Sequence, residues 1–400
     1  LGIAPAFALE GNLNLAQMQA RYQAMKNIPS QVGTLPDPIL SLGAVNFPTD
    51  SFERTQEGMT QLQIGFSQAF PFPGKLSLKE EAAEFEAKAA YFDVAEMRLL
   101  LAKNISHKWW QVFYLDRAIE TVNKNQDLLR QFIEVANTKY TTGKGLQQDV
   151  LLSQLELSKL IDKEIQIFAL RDNQVIRLNI LMNAAPRSAI DLPDKVNLVQ
   201  RELLPEQQLY QLATQFRPLL QKHQQLMSAA KSKLDLAERQ YYPDFNVGVV
   251  YGDRTGENPP FMGGERADLF SIKLGIKIPL YAGTKQSHKV KQRIGEQFKT
   301  KYAYHDEINQ VRADIASNVT DYSRSQQQLS LFKTGILPQA RQTVQSMLAG
   351  YQVSEVDFLN LVRSQVTLFN YELQYWQSIS KSNQALASLQ ASVGKENIYE

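Results

Sequence analysis

The stretch FSIKLGIKI, residues 270–278, alternates between apolar residues and small or polar ones. Successive side chains of a β-strand point to opposite faces, so this period of two predicts a strand with one apolar and one polar face. The same alternation recurs in QLQIGFSQ, residues 61–68, and in FNVGVVYG, residues 245–252. A fourth stretch alternates less cleanly. We therefore predict strands over 38–48, 60–72, 243–252 and 268–280.

The predicted strands belong to an internal repeat with an offset of roughly 210 residues. Three pairs of segments correspond in the same order: PILSLG (38–43) with PDFNVG (243–248), PFPGK (71–75) with PLYAGT (279–284), and YTTGKGLQQDVLLSQ (140–154) with YQVSEVDFLNLVRSQ (351–365). We expect two structural repeats, 1–202 and 203–400, each with a helix, two strands, a long helix, a tight tip and a return helix.

The helices are predicted to be unusually long. Residues 76–139 contain no proline and no glycine, which allows roughly 96 Å of continuous helix. We predict long helices over 75–139 and 285–349, return helices over 146–184 and 355–394, and a shorter helix over 205–241. Bends in the second long helix are expected at Gly295, Gly335 and Pro338. The proline-containing stretch 185–206 is predicted to be an irregular connector, and Ala6-Phe7-Ala8 is either the end of a signal peptide or part of a trimmed helix.

Composition excludes several classes of function. The chain has no cysteine, only four histidines, and a net charge of +2, so disulfides, thiolate metal sites and a basic nucleic-acid footprint are not expected. Nucleotide-binding, zinc-protease and hydrolase motifs are absent. We predict no catalytic residues, no cofactor-binding residues, no resident metal and no enzyme activity.

Strand number suggests an oligomer. No stretch reaches the roughly 18 apolar residues of a membrane-spanning helix, but the strands match the length of membrane-crossing β-strands. Four strands cannot close a barrel, and lipid does not tolerate open sheet edges, so several chains must share one barrel. Three copies give about 12 strands. The alternative is a soluble coiled-coil scaffold with a small sheet packed on its own helices.

Several segments carry a resemblance to a known family: LPDPILSLG (35–43), FPFPGK (70–75), the two tip motifs that begin at Tyr140 and Tyr351, and ILPQARQTVQSMLAGYQVSEVDFLNLV (336–362). The chain resembles the TolC-like outer-membrane efflux factors, and within them the heavy-metal-efflux branch. The resemblance implies a mainly α fold with a β-barrel part: a trimer shares a 12-stranded transmembrane β-barrel and continues it as a long α-helical barrel. It also implies the outer membrane of a Gram-negative bacterium, a periplasmic adaptor, an inner-membrane pump and export of heavy-metal cations. Export of drugs or polypeptides remains an alternative.

The resemblance further implies a closed aperture where the helix tips converge. It assigns a gating role to Tyr351 and a ring of acids to Asp149, with Glu355 and Asp357 nearby. The family's two acidic ring positions in the second tip are here Asn360 and Arg363, which is a departure from its pattern. The alternative is that Asp149 and Asp357 are ordinary residues at helix starts.

Two further sets of residues are implied in the same way. The expected adaptor contacts at the tips are Tyr140, Gly143, Lys144, Gly145, Val353 and Ser354. The expected strand-to-helix junctions contain Pro71, Pro73, Gly74, Pro279 and Gly283. Proline ends ladder pairing, so a purely structural stop explains the junctions equally well.

Overall fold

The computed structural model describes residues 11–190, 192–193, 196 and 202–399. The segment Ala6-Phe7-Ala8 and part of the expected connector 185–206 lie outside the described residues. The chain divides into two compact units. The first contains residues up to Gln19, Asp93–Leu220 and the chain from Asp306 onward, and the second contains Ala20–Phe92 and Gln221–His305. These units do not coincide with the halves 1–202 and 203–400, because each half contributes segments to both.

The second unit contains a four-stranded antiparallel sheet with the order β1-β2-β3-β4. Its strands are β1 (Ile39–Val45), β2 (Gln61–Phe70), β3 (Asp244–Asp253) and β4 (Leu269–Lys277). Strands β2 and β4 end just before Pro71 and Pro279, and proline cannot donate a ladder hydrogen bond. Both strands are therefore shorter than the predicted ranges 60–72 and 268–280.

The strand register places the predicted apolar residues on one face. One row across the sheet pairs Leu42 with Ile64, Ile64 with Tyr251, and Tyr251 with Phe270. The next row contains Leu40, Phe66, Val249 and Ile272. This apolar face is exposed, with Leu42 at 78% and Ile272 at 72% of full accessibility. The other face carries Ser41, Gln63, Gly65, Ser67, Gly248, Ser271, Lys273 and Gly275.

The described residues are otherwise mostly helical. The α-helices are α1 (Leu13–Lys26), α2 (Ile28–Gly33), α3 (Lys75–Thr141), α4 (Gln147–Leu181), α5 (Glu206–Phe216), α6 (Pro218–Arg239), α7 (Ser287–Leu331), α8 (Leu337–Gln352) and α9 (Phe358–Val393). Helix α3 has 67 residues and is therefore roughly 100 Å long. None of the helices in the described ranges combines the length and apolar character needed to cross a membrane.

Two predicted helices are interrupted. The range 205–241 forms α5 and α6, separated at Arg217, whose backbone is extended because the residue before a proline disfavours the helical conformation. The Arg217 side chain is buried and pairs with Glu96 at 2.6 Å. The range 285–349 is interrupted by a π-helical turn, Phe332–Ile336, just before Pro338, which lacks an N–H for the regular ladder. Gly295 does not end or interrupt α7.

The core of the first unit follows α3. Its apolar residues pack in successive clusters against the return helices, and the members include Trp110, Phe113, Ile379, Leu115, Val122, Ile167, Phe369, Leu129, Phe132 and Phe358. Helix α4 also carries apolar side chains that this core does not cover. These exposed residues are Leu151, Leu155, Ile165 and Phe168. Helix α4 thus has a second apolar surface, which has no covering element among the described residues.

Candidate functional site

The two helical tips lie in the first unit and have the same backbone capping. Tip 1 joins α3 to α4, and tip 2 joins α8 to α9. Lys144 N–H donates to the Lys139 carbonyl at 2.8 Å, and Glu355 N–H donates to the Gly350 carbonyl at 2.9 Å. Such bonds satisfy carbonyl groups that a helix end leaves unpaired.

Each tip turn contains a residue with positive φ. These residues are Gly143, with φ of 70°, and Ser354, with φ of 66°. Glycine adopts this conformation freely. For Ser354 it costs about 1–2 kcal/mol, so tip 2 is held in its turn by surrounding contacts.

Tyr351 connects the two tips. It lies in the last turn of α8 and is buried, with 5% of its surface exposed. Its hydroxyl donates a hydrogen bond to Asp149 Oδ2 at 3.3 Å, and its ring centroid lies 4.9 Å from that of Phe358. Asp149 is in the first turn of α4 and is also buried. The structure therefore brings together two of the predicted aperture residues.

Lys139, which the sequence analysis did not identify, makes a second connection. Its ammonium group donates to the Tyr351 carbonyl oxygen and to Ser354 Oγ, the latter at 2.9 Å. The same Nζ lies 4.4 Å from the centroid of the Tyr351 ring, within the range of a cation–π contact. The sequence offers one signal for Lys139: it immediately precedes the tip tyrosine Tyr140, whereas the equivalent position in the second tip is Gly350. That signal alone does not reveal the partner.

Gly145 makes room for Lys139. A Cβ atom at Gly145 would lie 2.8 Å from the Lys139 Cβ and 3.1 Å from its carbonyl carbon. Because backbone atoms cannot move aside as a flexible side chain can, a larger residue would shift the end of α3. Gly145 therefore has a structural role within the tip in addition to its predicted role as an adaptor contact.

The other predicted tip residues lie at the surface. Exposed side chains of the predicted aperture set are Glu355, Asp357, Asn360 and Arg363. Exposed residues of the predicted adaptor set are Tyr140, Gly143, Lys144, Val353 and Ser354, whereas Gly145 is partly buried. No group of three or more His, Cys, Asp or Glu side chains within the described ranges is arranged to hold a metal ion.

The strand-to-helix junctions lie in the second unit. At the first junction, Lys75 Nζ forms an ion pair with Asp244 at 2.7 Å, and the same carboxylate accepts the Phe72 N–H at 3.0 Å. Gly74 has φ of 89°, which accounts for glycine there. At the second junction, Gly283 lies in a π-helical turn, Ala282–Gln286, with open space around it. Pro71, Pro73 and Pro279 lie between strand and helix at these junctions, and Asp244 was not predicted from the sequence.

The electrostatic surroundings of Tyr351 keep its hydroxyl protonated. Burial, followed by the negative charge of Asp149 and the hydrogen bond to it, raises the pKa of Tyr351 from 10.0 to about 12. All three effects disfavour a phenolate at this position. The Tyr351 hydroxyl is therefore a hydrogen-bond donor to Asp149 throughout the neutral range.

We predict that Asp149→Asn lowers the pKa of Tyr351 toward 10.0, because it removes the nearby negative charge. The measurement is a titration of phenolate absorbance, taken as the difference between each protein and the same protein carrying Tyr351→Phe. Asp162→Asn, an exposed site on α4, is the control. Because the pKa of Tyr351 is higher in the folded protein, its protonated hydroxyl contributes fully to folding stability below pH 10. This contribution is lost as the pH rises through about 12. An unchanged titration in Asp149→Asn would contradict the assigned contact.

Comparison with known proteins identifies relatives of the chain. Residues 209–395 match the family described as outer membrane efflux protein. The cobalt-zinc-cadmium resistance protein CzcC of Cupriavidus metallidurans is 20% identical over 398 residues, which cover 99% of this chain and 90% of CzcC.

Solved structures share the fold. The outer membrane protein VceC from Vibrio cholerae has a TM-score of 0.82 at 20% identity, covering 98% of this chain and 95% of VceC. CusC, a protein that forms a transmembrane channel, has a TM-score of 0.82 at 14% identity. The match covers 98% of this chain and 91% of CusC. The resemblance inferred from the sequence motifs is thus confirmed. Residues 209–395 thus match the outer membrane efflux protein family, and the chain shares its fold with the outer membrane protein VceC and with CusC.

Proposed function

We propose that this chain is one protomer of a trimeric channel that exports solutes across the outer membrane. Each protomer contributes its four strands to a shared barrel of about 12 strands, and its long helices to an α-helical barrel in the periplasm. A periplasmic adaptor and an inner-membrane pump complete the export path. The observation that carries this proposal is the exposed apolar face of the sheet.

The sheet has properties that suit lipid on one side and water on the other. Its apolar face, with rows through Ile64 and Phe66, is not covered by any of the described residues. Its polar face contains serine, glutamine, lysine and several glycines, which suits a water-filled lumen. In a soluble scaffold the apolar face would pack against the protein's own helices, and the exposure of this face argues against that alternative.

The sheet edges support a shared barrel. Within the described residues, β1 and β4 each pair with a neighbour on one side only. An unpaired edge in lipid leaves N–H and C=O groups without partners, at several kcal/mol for each group. Pairing β4 of one protomer with β1 of the next removes every edge once the ring closes. The exposed apolar stripe of α4, containing Leu151, Leu155 and Ile165, suits lateral packing between neighbouring helices in the same way.

The tips are the proposed aperture. Tyr351, Asp149 and Lys139 hold the two hairpins of one protomer together, which suits a closed resting state. Three-fold symmetry would turn the exposed Asp357 and Glu355 into rings of negative charge, and such rings favour cations at a narrow pore. Asn360 and Arg363 would weaken that field, so cation preference rests on Asp357 and Glu355. Opening is a population shift that requires the tip contacts to break.

The exposed tip turns are the proposed adaptor surface. A Cβ atom at Gly143 would have no atom within 4 Å apart from those of Gly143 and its two chain neighbours. Lys144, the next residue of tip 1, is exposed, and so is Val353 in tip 2. These positions can accept a partner without rearranging the buried Tyr351. Heavy-metal cations are the proposed cargo, supported by the similarity to the cobalt-zinc-cadmium resistance protein CzcC.

We predict that Leu274→Lys prevents insertion of the channel, whereas Ser271→Lys does not. Leu274 is on the apolar face, paired with Val247, and Ser271 is on the opposite face, paired with Val250. A lysine facing lipid near mid-membrane costs about 2–4 kcal/mol. The measurement is the fraction of each protein that is recovered in the outer-membrane fraction and requires detergent for extraction. Equal recovery of both variants without detergent would contradict the barrel.

We predict that Lys139→Met raises the open probability of the aperture. The change removes two hydrogen bonds and the cation–π contact while keeping a side chain of similar length, at a cost to the closed state of roughly 1–2 kcal/mol per protomer. Conductance of the purified channel in planar bilayers measures the effect. Lys144→Met is the control, because Lys144 is exposed at the same tip. If both variants conducted as the wild type does, Lys139 would have no part in closure.

We predict that cells lacking this chain become sensitive to cobalt, zinc and cadmium and accumulate them. Reintroducing the wild-type chain should restore tolerance, and Leu274→Lys should not. The measurements are growth at graded metal concentration and cellular metal content, with a panel of antibiotics and detergents tested in parallel. Unchanged metal tolerance together with increased sensitivity to organic compounds would reject metals as the cargo and favour drug export.

A further inference from the structure

The junction that follows β4 is apolar, aromatic and exposed. Beyond the end of the strand at Lys277, Ile278 is 63% exposed, Leu280 is 80% exposed and Tyr281 is 75% exposed. No other element of the described chain covers them. Large apolar side chains in this state indicate a surface whose partner is outside the polypeptide.

The junction leads directly into a strongly basic segment. The basic residues between 282 and 302 are Lys285, Lys289, Lys291, Arg293, Lys299 and Lys301. The one acidic residue in that range, Glu296, pairs with Arg293. Lys289 donates to the neutral side chain of Gln292 at 3.2 Å. Lys285 and Lys291 are exposed and form no ion pair with any described residue, so their charges remain uncompensated.

The corresponding junction after β2 has no such surplus. Its lysine, Lys75, is buried and neutralised by Asp244. The helix that follows carries mainly acids in its first turns, namely Glu80, Glu81, Glu84 and Glu86. The free positive charge is therefore specific to the second junction, and it is not a general property of strand ends in this chain.

The order of residues matches the depth profile of a lipid monolayer. Apolar β4 side chains belong with hydrocarbon, Tyr281 with the interface, and the lysines that follow with the phosphate groups. We propose that Lys285, Lys289 and Lys291 bind the headgroups of anionic phospholipid in the periplasmic leaflet. This inference rests on the proposed channel function, which locates β4 in the membrane.

A second copy of the chain is a poorer occupant for these lysines. Neighbouring copies in a ring would present the same positive segment, and like charges repel. The stacked side chains of Phe298 and Tyr302, farther along α7 and with ring centroids 6.1 Å apart, are better suited to contact another protein chain. They are not part of the proposed lipid site.

The test compares lipid binding by the full-length channel and by Lys285→Gln/Lys289→Gln/Lys291→Gln. The probe is phosphatidylglycerol added to the detergent-solubilised protein, with bound lipid counted by native mass spectrometry and the unfolding temperature followed in parallel. Each lysine near an anionic headgroup contributes about fivefold in affinity, so the triple variant should bind on the order of 100-fold more weakly. Binding to wild type should weaken as salt is raised.

Two matched controls isolate the position and the charge of these lysines. Lys124→Gln/Lys163→Gln/Lys381→Gln removes the same charge from exposed sites on α3, α4 and α9 and should bind as wild type does. The charge-preserving variant Lys285→Arg/Lys289→Arg/Lys291→Arg should also retain binding. Phosphatidylcholine, which has no net charge, should bind weakly to all proteins.

Several results would overturn the proposal. One is an equal loss of phosphatidylglycerol affinity in the two triple glutamine variants, and another is equal affinity of the wild type for the two lipids. A third is a Lys285→Gln/Lys289→Gln/Lys291→Gln variant that still binds phosphatidylglycerol but no longer assembles, which would assign the segment to a subunit contact. Reconstitution separates this inference from the channel itself. A protein that inserts into vesicles without preferring phosphatidylglycerol refutes only the lipid site, whereas one that inserts into no vesicle refutes both.

Discussion

The proposed channel depends on one constraint: within the described residues, the four-stranded sheet has an exposed apolar face and two open edges. The apolar residues of β1 to β4 lie in register across the sheet, so they form one continuous surface and not scattered exposed positions. Burial of apolar surface is worth about 25 cal/mol per Å², and each unpaired backbone group in lipid costs several kcal/mol. Lipid on one side and a neighbouring strand at each edge resolve both penalties. The proposed trimer would satisfy this constraint with a closed barrel of about 12 strands.

Features that depend on a local sequence pattern, such as strand alternation or helix length, are easier to predict from the sequence than contacts between residues far apart in the chain. Alternation in β2, β3 and β4 predicted which residues share a face, because every second residue of a strand lies on the same side of the sheet. The 67-residue α3 was predictable because its interior lacks the residues that break helices. The break at Arg217 was missed, although Pro218 signals it. Placing the guanidinium beside Glu96 requires knowing that residues far apart in sequence meet.

The tips illustrate the same limit. Tyr140 and Tyr351 occupy equivalent positions in two similar motifs, and their turns share the same capping bonds. Nevertheless, Tyr140 is 46% exposed and Tyr351 is 5% exposed. The difference comes from two partners of Tyr351, namely Phe358 in its own tip motif and Asp149 in the other tip. A motif comparison identifies the two tyrosines, but only packing determines which one is the buried link.

Because the two halves of the chain are similar but not identical, the proposed trimer would contain two kinds of helical tip. If each protomer contributes one tip with an exposed tyrosine and one with a buried tyrosine, the proposed aperture contains two alternating kinds of hairpin. The buried kind can hold the closed state through Lys139 and Asp149, while the exposed kind is free to meet an adaptor. The strand junctions differ in the opposite direction, because Lys75 of the first half is neutralised by Asp244, whereas Lys285 and Lys291 of the second half form no ion pair with a described residue. One half thus supplies an internally satisfied element where the other leaves charge or surface available for a partner.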